Sequence, residues 1–196
     1  IEPNELAHRI YYIYKIWVCL IMNELVSQNT DMTLSDRFVP ENYFVGDIEA
    51  TGVFIDRFGI IRRRFNVSIT GQKTATGFAL DEYFVFDDGE QEFRRWEIQK
   101  SGQNTYVGMC DDVCGQAVGK LTDAHLSWQY HFNLKMFNRK IKVKFEDVMI
   151  QQTPLIMLNN AKVKKYGLLL GEVFITFMKT DEAMVSQPVM RAANSG

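Results

Sequence analysis

The chain has little of what several functional classes need. Three cysteines, Cys19, Cys110 and Cys114, occur in 196 residues and form no metal-ligand pattern. Cys110 and Cys114, placed in one extended strand, stand too far apart to bridge. The three histidines, His8, His125 and His131, are scattered, which excludes a zinc-type cluster. No phosphate loop, dinucleotide fingerprint or nucleophile elbow is present. A net charge of -2 lacks the basic footprint of a nucleic-acid binder. No apolar run reaches the roughly 20 residues of a membrane span. The longest, Ile10 to Met22, is interrupted by Lys15. No small-residue cleavage site follows it, and Ile16-Trp17-Val18 is too bulky for lipoprotein processing at Cys19.

What is abundant is apolar and aromatic surface. Hydrophobic residues make up 46% of the chain and aromatic residues 13%, enough for one domain with a substantial core. Residues 3–27 read as a helix with Pro3 and Glu5 in its first turn, apolar nearly all round and so buried against protein or membrane. From about Tyr43 to Met178 one strand follows another. Candidate strands cover 44–56, 60–70, 76–86, 91–101, 104–110, 113–119, 124–134, 137–150 and 168–179. Short turns join them, among them Asp56-Arg57-Phe58-Gly59 and Asp87-Asp88-Gly89. Leu126 to Leu134 alternates cleanly, with Trp128, Tyr130 and Phe132 on one face. Lys162-Val163-Lys164-Lys165-Tyr166 reads as a short helix stopped at Gly167. The polar tail from Asp181 reads as mobile. The last strand is apolar on both parities, so its outer face calls for a cover, either the N-terminal helix or a partner subunit.

Several strands carry charge on their apolar parity. Arg63 shares a face with Phe65, Val67 and Ile69. Glu82 falls with Leu80 and Phe84, Arg94 with Trp96 and Ile98, and Asp147 with Val143 and Phe145. Around Tyr106 to Val113 the phase is ambiguous, so either Asp111 or Asp112 points inward. Buried charges must be paired or hydrogen-bonded. The pattern predicts an ionic cluster inside a closed sheet, serving either to fix register or to anchor the polar head of an apolar ligand. The candidate lumen residues are Arg63, Glu82, Arg94, Trp96, Asp111, Asp112, Trp128, Tyr130 and Asp147. Lysines 140, 142, 144, 162, 164 and 165 form either an ordinary solvated face or a patch for anionic lipid or an acidic partner.

Pro40-Glu41-Asn42-Tyr43-Phe44, Gly52-Val53-Phe54-Ile55-Asp56-Arg57-Phe58-Gly59 and Arg62-Arg63-Arg64-Phe65 resemble the opening of a lipocalin-like family of uncharacterised bacterial proteins. The likeness continues through Leu80 to Glu90, Arg95-Trp96, Asp111-Asp112-Val113, Leu126 to Tyr130 and Gly167 to Val173. That family is known as a domain of unknown function, and some members are lipoproteins. The resemblance implies a calycin-type, up-and-down antiparallel barrel over residues 40–179. A helix over 1–28 and a tail over 180–196 flank it. It implies no activity. The function expected is a non-enzymatic barrel that binds a lipid or other apolar molecule with a polar head, without cofactor. Two alternatives stand beside it. One is an accessory subunit of a multiprotein, membrane-bound complex, docking through helix 3–27 and the last strand. The other is a lipid- or isoprenoid-modifying isomerase or hydratase using Glu82 or Asp147.

Overall fold

A computed structural model of the chain describes residues 38–180, except 124, 137 and 138. The expected helix over 3–27 and the expected tail lie outside the described residues. Within them stand one short helix, α1 (Pro40–Tyr43), and ten strands. These are β1 (Gly46–Asp56), β2 (Ile61–Lys73), β3 (Gly77–Phe86), β4 (Gln91–Lys100), β5 (Thr105–Met109), β6 (Ala117–Leu121), β7 (Leu126–Met136), β8 (Arg139–Gln151), β9 (Ile156–Lys165) and β10 (Leu168–Lys179). Each strand pairs antiparallel with its neighbours in sequence, and β1 pairs with β10, closing the barrel. Closure leaves no unpaired sheet edge.

Alternation decides which side chains enter the lumen. Ile48 and Ala50 of β1, Val67 and Ile69 of β2, and Trp128 and Phe132 of β7 are buried on the inner face. The turns follow their sequence signals. Asp56 accepts hydrogen bonds from the N–H groups of Phe58 (2.9 Å) and Ile60 (3.0 Å), and Gly59 takes φ +82°. Asp88 accepts from the Glu90 N–H at 3.0 Å, with Gly89 at φ +83°.

Two expectations are corrected. The basic stretch 162–166 is strand rather than helix: Met157, Asn159, Ala161 and Val163 are all buried on one parity, and lysines 162 and 164 take the other. The stretch ends in a tight turn in which Tyr166 (φ 51°) and Gly167 (φ 80°) are both left-handed, as a two-residue hairpin requires. The strand expected over 113–119 starts only at Ala117, and Val113 makes an isolated bridge to Phe132 instead.

The two ends of the barrel differ. At the lower end α1 and Phe44 fold across the opening. The Phe44 ring stacks on Phe78 at 5.7 Å and meets Phe177 edge-on at 6.2 Å. The Phe44 carbonyl lies so close to Gly71 that a Cβ there would stand 1.6 Å from it, so only glycine fits. At the upper end the β1–β2, β3–β4 and β9–β10 hairpins project outward. Inner-facing Phe54, Phe86, Tyr130, Phe145, Val173 and Ile175 are only half-buried, as expected where solvent enters from above.

Candidate functional site in the lumen

Two glycine-and-aromatic contacts shape the interior. A Cβ on Gly108 of β5 would lie 2.4 Å from the Trp128 indole, and one on Gly119 of β6 would lie 2.2 Å from it. The large Trp128 ring is thus seated in a gap left by two small residues on the facing strands. Trp96 meets Trp128 at 6.2 Å and Tyr130 at 5.3 Å, both edge-on. Tyr130 stacks on Phe145 at 5.1 Å, and Phe132 meets Phe145 at 5.9 Å. Such ring pairs supply apolar area with fixed geometry.

Two carboxyls stand among these rings. Asp147 of β8 is 5% exposed and pairs in register with Trp128. Asn159 of β9, also 5% exposed, donates its side-chain N–H to Asp147 Oδ1 at 3.0 Å. Asp147 Oδ2 and Asn159 Oδ1 are buried with no hydrogen-bond partner among the described residues. Burial lifts the Asp147 carboxyl to about 7, against the Asn159 hydrogen bond, and the Glu82 charge pushes the same way as burial. Glu82 of β3 retains partial contact with solvent, yet desolvation lifts it to about 7 as well. Its opponents are the Arg94 charge and a hydrogen bond from Trp96. Burial also holds the Tyr130 hydroxyl well above its usual range, and the Asp147 charge adds to that. Burial is the largest cause at both acids, so each is raised toward neutrality chiefly by its apolar surroundings.

Of the two cations expected inward, Arg94 lies there and Arg63 does not. Arg94 of β4 faces inward and pairs across the ladder with Glu82, but its guanidinium contacts Glu92 at 2.6 Å. It also lies over the rings of Phe84 (4.3 Å) and Phe132 (5.0 Å). Arg63 lies at the upper rim. It bonds Asp88 at 3.0 Å and Glu90, and stacks over Phe86 at 3.5 Å. It is therefore no counter-ion for Asp147, because the β3–β4 turn supplies carboxylates that hold it at the rim. Neither Asp111 nor Asp112 enters the lumen. Tyr106 and Gly108 take the inner parity, and both aspartates fall in the turn after β5, Asp111 exposed and Asp112 bonded to Lys140 at 2.9 Å. Trp96, Trp128 and Tyr130 line the interior beside the acids. Asn159 escaped the sequence reading because no strand was expected over 156–161 and the stretch 162–166 was read as a helix; its odd-position spacing with Met157, Ala161 and Val163 was the available signal.

Fold and site together define a class: a closed, ten-strand antiparallel barrel with a small polar cluster set in an aromatic interior. The chain belongs to the family described as "Protein of unknown function (DUF3833)", which matches residues 19–179. The search of curated proteins returned no match. Among solved structures the barrel is similar to the S-type phycobiliprotein lyase CPES from Guillardia theta. That match has a TM-score of 0.55 and 9% identity, covering 72% of this chain and 90% of that one. At that identity the likeness is one of fold. A second match, EF1p2_mFAP2b bound to DFHBI, has a TM-score of 0.40 and 12% identity, covering 70% of this chain and 94% of that one.

Proposed function

We propose that this protein binds an apolar small molecule with a polar group, held in the upper half of the lumen. The observation that carries this reading is the placement of Asp147, Glu82 and Arg94 among rings that solvent partly reaches. A barrel serving only as a structural subunit has no use for solvent-accessible aromatics on its inner face, and half-buried Phe54, Phe86, Tyr130 and Phe145 are such rings. A lipid fits the apolar wall, as does any flat ring molecule of similar size. Native mass spectrometry of the gently extracted full chain tests the proposal. A co-purifying small molecule, displaced by an apolar fluorescent probe, is the expected result. A protein that retains nothing and enhances the emission of no apolar probe overturns it.

A second reading concerns how such a molecule arrives. Phe58 is 72% exposed, Tyr166 94% and Leu168 66%, all on the β1–β2 and β9–β10 hairpins. The two hairpins are adjacent, since the Arg57 N–H donates to the Leu170 carbonyl at 2.9 Å. The Arg57 guanidinium lies over Phe58 at 4.7 Å and the Lys165 ammonium over Tyr166 at 5.4 Å. Exposed rings flanked by cations suit the headgroup layer of an anionic bilayer. Sedimentation with phosphatidylglycerol vesicles, but not phosphatidylcholine vesicles, is expected for the full chain. Loss of that binding in Phe58→Ser/Tyr166→Ser would assign it to these tips. Equal recovery with both lipids, or unchanged binding in the double variant, counts against the reading.

A further inference from the structure

The lumen's charge and its unpaired atoms say what kind of polar group it takes, given the binding reading above. With Asp147 ionised, Asp147 Oδ2 and Asn159 Oδ1 are both acceptors, both on residues 95% buried, and both without a donor among the described residues. A buried acceptor left unpaired costs its full desolvation. Asn159 has already used its amide N–H on Asp147 Oδ1. The arrangement therefore lacks hydrogens and has oxygens to spare. A ligand carboxylate or phosphate would worsen that mismatch. It would also meet a field of like sign, because among the described residues Glu82, Glu92 and Asp147 face the lumen against Arg94, while Arg63 is held at the rim by Asp88 and Glu90. Arg94 is moreover engaged by Glu92 and covered by two rings.

We infer that Asp147 Oδ2 and Asn159 Oδ1 form a two-acceptor seat for a hydrogen-bond-donating group, a hydroxyl or N–H, on an otherwise apolar ligand. The two residues lie on neighbouring strands, β8 and β9, with Asp147 opposite Ala161 and Asn159 opposite Met149. A group with two hydrogens meets both acceptors. A single hydroxyl meets one of them and leaves the other unpaired. The apolar remainder lies along Trp128 and the Tyr130–Phe145 stack.

The test is calorimetric titration of the full chain at about pH 8 with three probes that share one ring system: 2-naphthol, 2-methoxynaphthalene and 2-naphthoate. A hydrogen bond to a charged acceptor predicts a preference of roughly tenfold for the naphthol over its methyl ether, with the naphthoate weakest. Asp147→Leu should abolish that preference while still binding the ether, and Asn159→Leu should reduce it. Equal affinity for naphthol and ether in the unmodified protein, or tightest binding by the naphthoate, overturns the donor assignment and leaves lumen binding in place. Failure of all three probes to bind removes lumen binding itself and the seat with it.

Discussion

The two ends of this barrel are held by different forces. The lower end is closed by buried rings and by hydrogen bonds to backbone carbonyls. The Tyr43 hydroxyl reaches the Leu155 and Phe177 carbonyls at 3.2 Å, and Lys179 Nζ donates to the Asn42 carbonyl at 2.7 Å. The Tyr106 hydroxyl donates to the Glu41 carboxylate at 3.0 Å. The upper end relies on ion pairs that solvent touches, Arg62 with Asp56, Arg63 with Asp88 and Glu90, and Lys140 with Asp112. Exposed pairs contribute little, whereas buried rings contribute several times more. The difference is that of a base packed by buried rings and a mouth held by solvent-touched ion pairs, which is the end through which the proposed ligand would enter.

The largest way to break this contrast is at Phe44. Its ring is buried against Phe78 and Phe177, so Phe44→Ala should cost about 3–5 kcal/mol of unfolding free energy in urea. Phe58→Ala at the opposite end, where the ring is 72% exposed, should change stability by no more than about 0.5 kcal/mol. Comparable losses at the two sites would mean that the upper hairpins are as firmly packed as the base.

Between the ends, the acid pair gives stability a pH dependence of definite sign. Asp147 and Glu82 titrate near 7 when folded, and carboxyls in an unfolded chain titrate near 4. Between those values the folded state holds more protons than the unfolded state. Stability from these groups is therefore fully present below about pH 4 and lost as pH rises through about 7. Asp147→Asn keeps an acceptor for the Asn159 amide and removes the buried charge. It should stabilise the protein by a few kcal/mol at about pH 8 and by much less at about pH 5. Glu146 works in the opposite direction: Lys144 and Lys164 hold its carboxyl down to about 2, so its contribution fails only in acid. Denaturation midpoints of both proteins across this range would check the sign. An Asn variant less stable at pH 8 than at pH 5, relative to the parent, would mean Asp147 is stabilised as an anion.

Much of this architecture was legible in the chain, and the failures have physical causes. Leu126 to Leu134 shows its strand and its faces directly, because one parity is large and apolar and the other polar. The inward parity of Glu82, Arg94 and Asp147 was read the same way. Parity does not report height along the barrel, however. Arg63 has the inner parity, but its distance from the rim depends on the Asp88 and Glu90 carboxylates across the β3–β4 hairpin, which only the strand register brings to it. Around Tyr106 to Val113 both parities carried apolar residues, so the side taken by Asp111 and Asp112 was undetermined until Gly108 was seen under Trp128. β9 was missed because its three lysines and two asparagines dilute the strand signal, and its buried apolar residues are small apart from Met157. With β9 went Asn159, the hydrogen-bond partner of Asp147 among the described residues.

A finer probe of the lower end is Tyr43→Phe. The hydroxyl is removed while the ring contact with Phe44 at 5.3 Å remains. Two carbonyls, Leu155 and Phe177, then lose a donor, and a cost of about 1–2 kcal/mol is expected in urea denaturation. No measurable loss would show that water replaces the hydroxyl and that the base is wetter than its rings suggest.

A small effect is also expected at Arg63, and it is the most discriminating. Sequence parity puts this residue with the interior charges, whereas the structure puts it at the mouth with its side chain 27% exposed and its partners Asp88 and Glu90 57% and 46% exposed. Its Nε is buried without an acceptor, a cost that offsets part of what the ion pairs contribute. The stem packs on Phe86, and methionine reproduces much of that contact without the charge. Arg63→Met should therefore alter stability by less than about 1 kcal/mol, and added salt should shrink the difference further. An interior arginine would behave otherwise: removing it would strand buried carboxylates at a cost of about 3–5 kcal/mol, insensitive to salt. Equilibrium unfolding of both proteins at low and high ionic strength separates the two outcomes, and the second would return Arg63 to the interior cluster and close the mouth.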